Sequence, residues 1–334
     1  MTRMSILQLD KPTNILVLLG LTLPEVTEGD LAKINAAAPS GSTVRVVSNV
    51  KDAIAAAGDV EVILGFIPEP LFRAAPRLRW VHAIASGVDM FLYPAMRDSD
   101  VVLTGEKGLV GGHLADTGFG LLLNLTRQIA TSIRLGPASW DAREAMRVKE
   151  IELEGLTMGI VGFGGTGRAM ARRAVAFGMN VIAVDEWPVA PSDGVHEVWA
   201  TERLPVLLAA SDVVAICCPL SPKTRNLFDD RTFNQMKRGA FLVNVTRGEI
   251  MDSDALVRAL QDGRCAGAGL DVAPKEPLPA DHPLWKLENV VMTPHTAGAS
   301  QLRARRNLDR FCDNLRLVQR GEPLLGAINK QLGY

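Results

Sequence analysis

The sequence predicts an α/β protein built from two parallel sheets, each covered by helices on both faces. Three observations carry this. The chain has 334 residues, above the size at which a single hydrophobic core stops growing, so two domains are expected. Short apolar runs alternate with helix-like stretches almost from end to end, which is the rhythm of strand–helix–strand units in a buried parallel sheet. The alternation also falls into two series, separated by a Leu-rich helical stretch at about 112–130.

In the first series, the apolar runs at 15–19, 44–47, 60–66 and 78–85 read as strands. Helical patterns lie between them at 30–38 and 51–57. The apolar stretch 15–23 is too short to span a bilayer and runs into Glu25, Glu28 and Asp30, so it reads as a buried first strand. The second series offers strands at 157–163, 180–185, 212–218, 240–245, 266–272 and 289–293, about six in all. Helical patterns at 166–177, 203–209 and 253–261 separate them, with Ser253 and Asp254 suited to a helix start and Gly263 to its stop. A last helix is expected from about 299 to 318.

Hydrophobic residues make up 47% and charged residues 22%, the balance of a globular protein. The formal net charge of −1 gives no overall attraction to nucleic acid or anionic lipid. Arg303, Arg305, Arg306 and Arg310 read as one solvated helix face. The four cysteines, at 217, 218, 265 and 312, lack the spacing of a zinc or redox site, and the adjacent pair lies in an apolar run. Buried, reduced thiols and a cytoplasmic location are expected. No cluster suggests a metal.

The most specific local signal is Gly162-Phe163-Gly164-Gly165-Thr166-Gly167, a G-x-G-x-x-G loop between an expected strand and an expected helix. Gly162 permits the tight turn, Gly164 lets backbone approach a pyrophosphate, and Gly167 lets helix and strand pack closely. The phosphates would meet the helix N-terminus, where free N–H groups favour negative charge. Asp185 ends the next strand, where an acid should bind the adenosine ribose hydroxyls and repel a 2′-phosphate. Glu186 and Trp187 follow it rather than Arg. NAD(H) is therefore the expected cofactor.

Three segments then place reactive side chains just past strand ends, where ligands of open α/β sheets collect. Asn244-Val245-Thr246-Arg247-Gly248 carries an Arg whose planar fork suits a carboxylate. Gly269-Leu270-Asp271-Val272 leads through a Pro-bounded loop to Glu276. Thr293-Pro294-His295-Thr296-Ala297-Gly298 carries a His. Each alone has an ordinary reading, as a loop Arg, a solvated acid or an exposed His.

Together with the glycine loop, and with Cys218-Pro219-Leu220-Ser221-Pro222-Lys223-Thr224, these ordered segments resemble the D-isomer-specific 2-hydroxyacid dehydrogenase family. The resemblance runs from about Ser86 to Gly298. It implies a flavodoxin-like substrate-binding domain at 1–106 plus 299–334, with a Rossmann NAD-binding domain at 107–298. It implies that Arg247 clamps the substrate carboxylate, that His295 is general acid in reduction and base in oxidation, and that Glu276 orients His295. Cofactor contacts are implied at Gly162, Gly164, Gly165, Thr166, Gly167, Asp185, Cys218, Pro219, Thr224, Val245, Thr246, Asp271, His295 and Gly298, with Asp271 near the nicotinamide carboxamide. Ser86, Gly87 and Val88 would bind the substrate from the other domain through backbone N–H groups. A homodimer, a small 2-oxo or 2-hydroxy acid substrate, the D stereochemistry and the absence of a metal follow from the same resemblance. Pro283-Leu284-Trp285 favours the glyoxylate and hydroxypyruvate reductases within it.

The chain departs from the family at its first crossover helix. Leu114-Ala115-Asp116, preceded by His113, stands where many members have V-A-E, and Gly111 stands where many have a cofactor-facing Thr. An NAD(H)-sensing, partner-binding module on the same fold is the alternative reading, and it would need an interaction tail that the sequence lacks. A formate dehydrogenase is disfavoured because that group has Gln in place of Glu276.

Overall fold

The computed structural model describes residues 7–9 and 11–333. The chain divides into two compact units: one runs to Leu109 and resumes at Ala299, and the other is Val110–Gly298. Of the range assigned by sequence to the substrate side, residues 1–6, 10 and 334 lie outside the described residues.

The first unit holds five strands: β1 (Asn14–Leu18), β2 (Thr43–Val47), β3 (Val62–Leu64), β4 (Trp80–His82) and β5 (Val102–Thr104). All pair in parallel in the order β2-β1-β3-β4-β5, the flavodoxin-like order. The strand β5 is absent from the expectation because only three residues pair, directly after the polar turn Asp98-Ser99-Asp100. The returning helix, Arg303–Gln319, buries Leu308, Phe311, Leu315 and Val318 at helical spacing. Phe311 packs on Trp80 with ring centroids 5.1 Å apart. Arg303 and Arg310 correct the solvated-face reading: Arg303 pairs with the fully buried Glu106, and Arg310 donates to the Lys107 carbonyl at 3.2 Å.

The second unit adds β6 (Thr157–Val161), β7 (Asn180–Asp185), β8 (Val198–Ala200), β9 (Val213–Ile216), β10 (Ala240–Asn244), β11 (Cys265–Leu270) and β12 (Val290–Met292). These seven parallel strands run in the order β12-β11-β10-β9-β6-β7-β8. The extra strand, β8, is a half-exposed edge whose apolar run, Val198-Trp199-Ala200, is only three residues long. The interior strands β9 and β10 are buried along their whole length because helices cover both faces. The direction of strand addition reverses between β6 and β9, the switch point at which such sheets bind ligands.

The Leu-rich stretch forms the helix Gly111–Thr126, shorter than expected. Gln128 takes a left-handed φ of 51 and a second helix, Ile129–Leu135, begins after it. No residue from Arg127 to Glu150 is buried. The four thiols are free and buried. Among the described residues no helix is long and apolar enough to cross a membrane.

Candidate active site

The carboxyl edge of the second sheet collects most of the residues singled out by sequence. At the switch point Gly162 turns with φ 96, and a Cβ there would lie 2.5 Å from the Cys218 backbone nitrogen. A Cβ on Gly167 would lie 2.1 Å from the Gly162 carbonyl oxygen, so only glycine lets the helix Gly165–Ala176 seat on the turn. Gly164 is the extended N-cap of that helix; nothing lies within 4 Å of its Cβ position, and no side chain caps the helix. Open N–H groups beside vacant space at a helix N-terminus fit a pyrophosphate. Gly111 also gains a reason. Its Cβ position is 2.3 Å from the Gly165 carbonyl oxygen, so the first turn of the helix Gly111–Thr126 packs backbone to backbone against the glycine loop.

Asp185 ends β7 beside this loop. Its carboxylate accepts from the Phe163 N–H at 2.7 Å and the Trp187 N–H at 2.9 Å, which fixes both oxygens while leaving lone pairs for ribose hydroxyls. The following loop is held by Arg168, which lies over the Phe163 ring at 4.8 Å and donates to the Ala190 carbonyl at 2.7 Å. Glu186 pairs with Lys223 from the loop after β9. In that loop Thr224 donates to the Pro219 carbonyl at 2.7 Å, closing the turn behind Cys218. Burial pushes the Cys218 thiol up to about 12, which excludes a reactive thiolate near neutral pH.

Arg247, Glu276 and His295 follow β10, β11 and β12, three adjacent strands. The Arg247 guanidinium donates to the Thr246 carbonyl at 2.9 Å. A Cβ on Gly248 would lie 1.9 Å from the Ala273 carbonyl oxygen, so the Arg247 turn rests directly on the loop that carries Glu276. That loop includes a cis Glu276-Pro277 bond. Glu276 accepts from the Ala273 N–H at 3.0 Å through Oε1 and faces His295 Nδ1 at 2.7 Å through Oε2. A carboxylate at Nδ1 fixes the tautomer with its proton there and leaves Nε2 for exchange with a reactant. His295 is 45% exposed, unlike a structural histidine of the core. The set can bind a carboxylate and move one proton.

Two buried polar residues beneath the set were not given this part by sequence. Asn244 bonds to Thr246 and to the Arg247 carbonyl. Asp271 accepts from Thr293, Thr296 and Ala297, around His295. The motif spacing contains Asn244 without revealing its bonds. Val245 is buried, and Gly298 ends the unit. Ser86, Gly87 and Val88 belong to the other unit, just past β4, with Ser86 exposed and Val88 buried. Asp116 pairs with Arg173 at 2.7 Å and ties two helices of the second unit together; His113, on the first turn of the helix Gly111–Thr126, is half-buried.

A Rossmann sheet with an open glycine cradle and a His–Glu pair at its carboxyl edge defines a nucleotide-dependent oxidoreductase. Residues 119–297 match the model of the D-isomer specific 2-hydroxyacid dehydrogenase NAD binding domain. The chain is 35% identical to a glyoxylate reductase of Korarchaeum cryptofilum, over 82% of this chain and 84% of that one. It is 29% identical to a hydroxypyruvate reductase of Blautia hydrogenotrophica, over 85% and 89%. Its fold matches a D-isomer specific 2-hydroxyacid dehydrogenase from Xanthobacter autotrophicus Py2, solved with NADPH and MES, with a TM-score of 0.80, 29% identity and coverage of 96% and 100%. The chain belongs to the D-isomer-specific 2-hydroxyacid dehydrogenase family. It is an oxidoreductase with an NAD-binding domain.

Proposed function

We propose that this chain reduces a small 2-oxo acid to its D-2-hydroxy acid with NADH, and that glyoxylate or hydroxypyruvate is the favoured substrate. The observation that carries the reading is the 2.7 Å contact between His295 Nδ1 and Glu276 Oε2 beside the Arg247 turn. Arg247 holds the substrate carboxylate through its donor fork. His295 delivers a proton from Nε2 to the 2-oxo oxygen in reduction and removes it in oxidation. Glu276 orients the ring and holds its tautomer. NADH supplies the hydride that reaches C2 of the oxo acid. Ser86 and the backbone N–H groups at Gly87 and Val88 are proposed as further substrate contacts.

The choice of NAD over NADP rests on Asp185, whose fixed carboxylate would repel a 2′-phosphate. The names of the glyoxylate and hydroxypyruvate reductases support the substrate. The reading includes a homodimer. Its support is the stretch 127–150, where Ile133, Trp140 and Val148 are 72%, 78% and 84% exposed, an apolar patch suited to a second copy of the chain. Four free, buried thiols support a reducing cytoplasm.

The test is nicotinamide absorbance with NADH and NADPH against glyoxylate, hydroxypyruvate, pyruvate and phenylpyruvate. The expected result is highest kcat/KM with glyoxylate or hydroxypyruvate and a preference for NADH of about tenfold or more, near 1.4 kcal/mol. A preference for NADPH overturns the cofactor assignment, and no turnover of any oxo acid overturns the activity. Sedimentation as a monomer would contradict the dimer.

A further inference from the structure

We propose that Asp271 and Asn244 are positioning residues that divide the catalytic work beneath the site: Asp271 sets His295, and Asn244 sets Arg247. The proposal rests on the catalytic reading above.

The turn that carries His295 is held by one residue. The His295 N–H donates to the Asp271 carbonyl at 2.7 Å. The next two N–H groups, of Thr296 and Ala297, donate to Asp271 Oδ1 and Oδ2, each at 2.9 Å. The Thr293 hydroxyl donates to Oδ1 at 2.6 Å. Pro294 has no N–H to offer elsewhere. Two successive amides and a hydroxyl thus converge on the Asp271 side chain, a third amide meets its carbonyl, and the residue is 1% exposed.

His295 takes φ 55, a left-handed conformation uncommon outside glycine. Consecutive amides around a left-handed residue form a concave nest for an anion. Here the anion is built in: the Asp271 carboxylate fills the nest and holds the strained turn through charge-assisted bonds. Asp271 is itself registered on β10 through its N–H, which donates to the Asn244 carbonyl at 2.9 Å.

Asn244 serves the neighbouring turn in the same way. It is fully buried. Its Oδ1 accepts from the Thr246 N–H at 3.0 Å and hydroxyl at 3.1 Å, and its Nδ2 donates to the Arg247 carbonyl at 2.9 Å. Both functions of the amide are used, so neither Asp nor Leu can replace it. This gives Asp271 a part different from the carboxamide contact that the resemblance implies.

The two residues should fail in different parameters. Asp271→Asn turns an NH2 group toward an amide N–H, loosening the His295 turn. It should lower kcat about 10²-fold while leaving the NADH dissociation constant, read by fluorescence titration, unchanged. Thr293→Val should lower kcat about tenfold and Thr293→Ser should restore it. Asn244→Asp sets an oxygen against the Arg247 carbonyl and should raise KM for the oxo acid more than it lowers kcat. In a His295→Ala background, Asp271→Asn should add no further loss. If Asp271→Asn instead weakens NADH binding and its loss persists in that background, Asp271 is a direct cofactor contact and the proposal fails. If Asp271→Asn does not fold, the Thr293 pair decides: equal rates for Val and Ser overturn the proposal. Wild-type turnover in His295→Ala alone would overturn the acid–base assignment itself, a result distinct from either failure.

Discussion

Two histidines of this chain lie at strand ends and meet opposite fates. His82 closes β4 in the first unit with no exposure to solvent. His295 follows β12 in the second and is 45% exposed. Each belongs to a polar chain. From His82, the chain runs through Thr104 at 2.7 Å and Asn307 at 3.0 Å, with Trp80 donating to Thr104 and Asn307 donating to Glu106, which Arg303 pairs. Asn307 uses its amide N–H on Glu106, so its oxygen accepts from His82 Nε2–H, and burial holds the ring neutral. Every group in this chain points at another group of the protein. Around His295, Asp271 and Glu276 take up the backbone amides and Nδ1, and among the described residues Nε2 is left over. A buried polar network stabilises one geometry; one that stops a single atom short presents that atom to a reactant.

The first way to sharpen the contrast is acid. Burial lowers the His82 pKa from 6.5 to about 4, with Arg310 adding in the same direction and Asn307 opposing. The unfolded chain binds that proton below about pH 6.5 and the folded chain does not. The stability from neutral His82 is therefore complete above pH 6.5 and is lost as pH falls toward 4, by up to about 3 kcal/mol. Burial raises the Glu106 carboxyl, an effect of opposite sign, so the informative quantity is the difference from His82→Gln. Denaturant melts between pH 7 and 4 should show a shallower decline in the variant. Parallel declines would show that His82 titrates like a solvated imidazole.

The second way breaks the reactive side. Gly248→Ala places a methyl 1.9 Å from the Ala273 carbonyl oxygen and forces the Arg247 turn off the Glu276 loop. Turnover should fall about 10²-fold, or about 2.7 kcal/mol, because a displacement near 1 Å at the chemistry is enough. Retained turnover would show that the contact between the two loops is dispensable.

Much of this was legible in the residues themselves. The glycine loop and Asp185 are local features, placed by residue type and a strand end, whereas Arg247, Glu276 and His295 stand out as a set only through the resemblance. The flavodoxin-like order and the return of the last helix came from the resemblance. What escaped was non-local or short. The strands β5 and β8, of three residues each, are too short to leave a pattern. Arg303 reads as a surface charge until Glu106, 197 residues away, is placed beside it. His82 and Asn307 are 225 residues apart. Asn244 sits inside a legible motif, but its part depends on three bonds that no spacing encodes.

The central claim is that His295, backed by Glu276, moves the proton in a 2-oxo acid reduction. Its most direct test is single-turnover reduction of glyoxylate by bound NADH in the wild type and His295→Ala. The account predicts a loss of about 10²–10⁴-fold in the variant, the range for a positioned general acid, with NADH binding retained. A single-turnover rate equal to the wild type would contradict it.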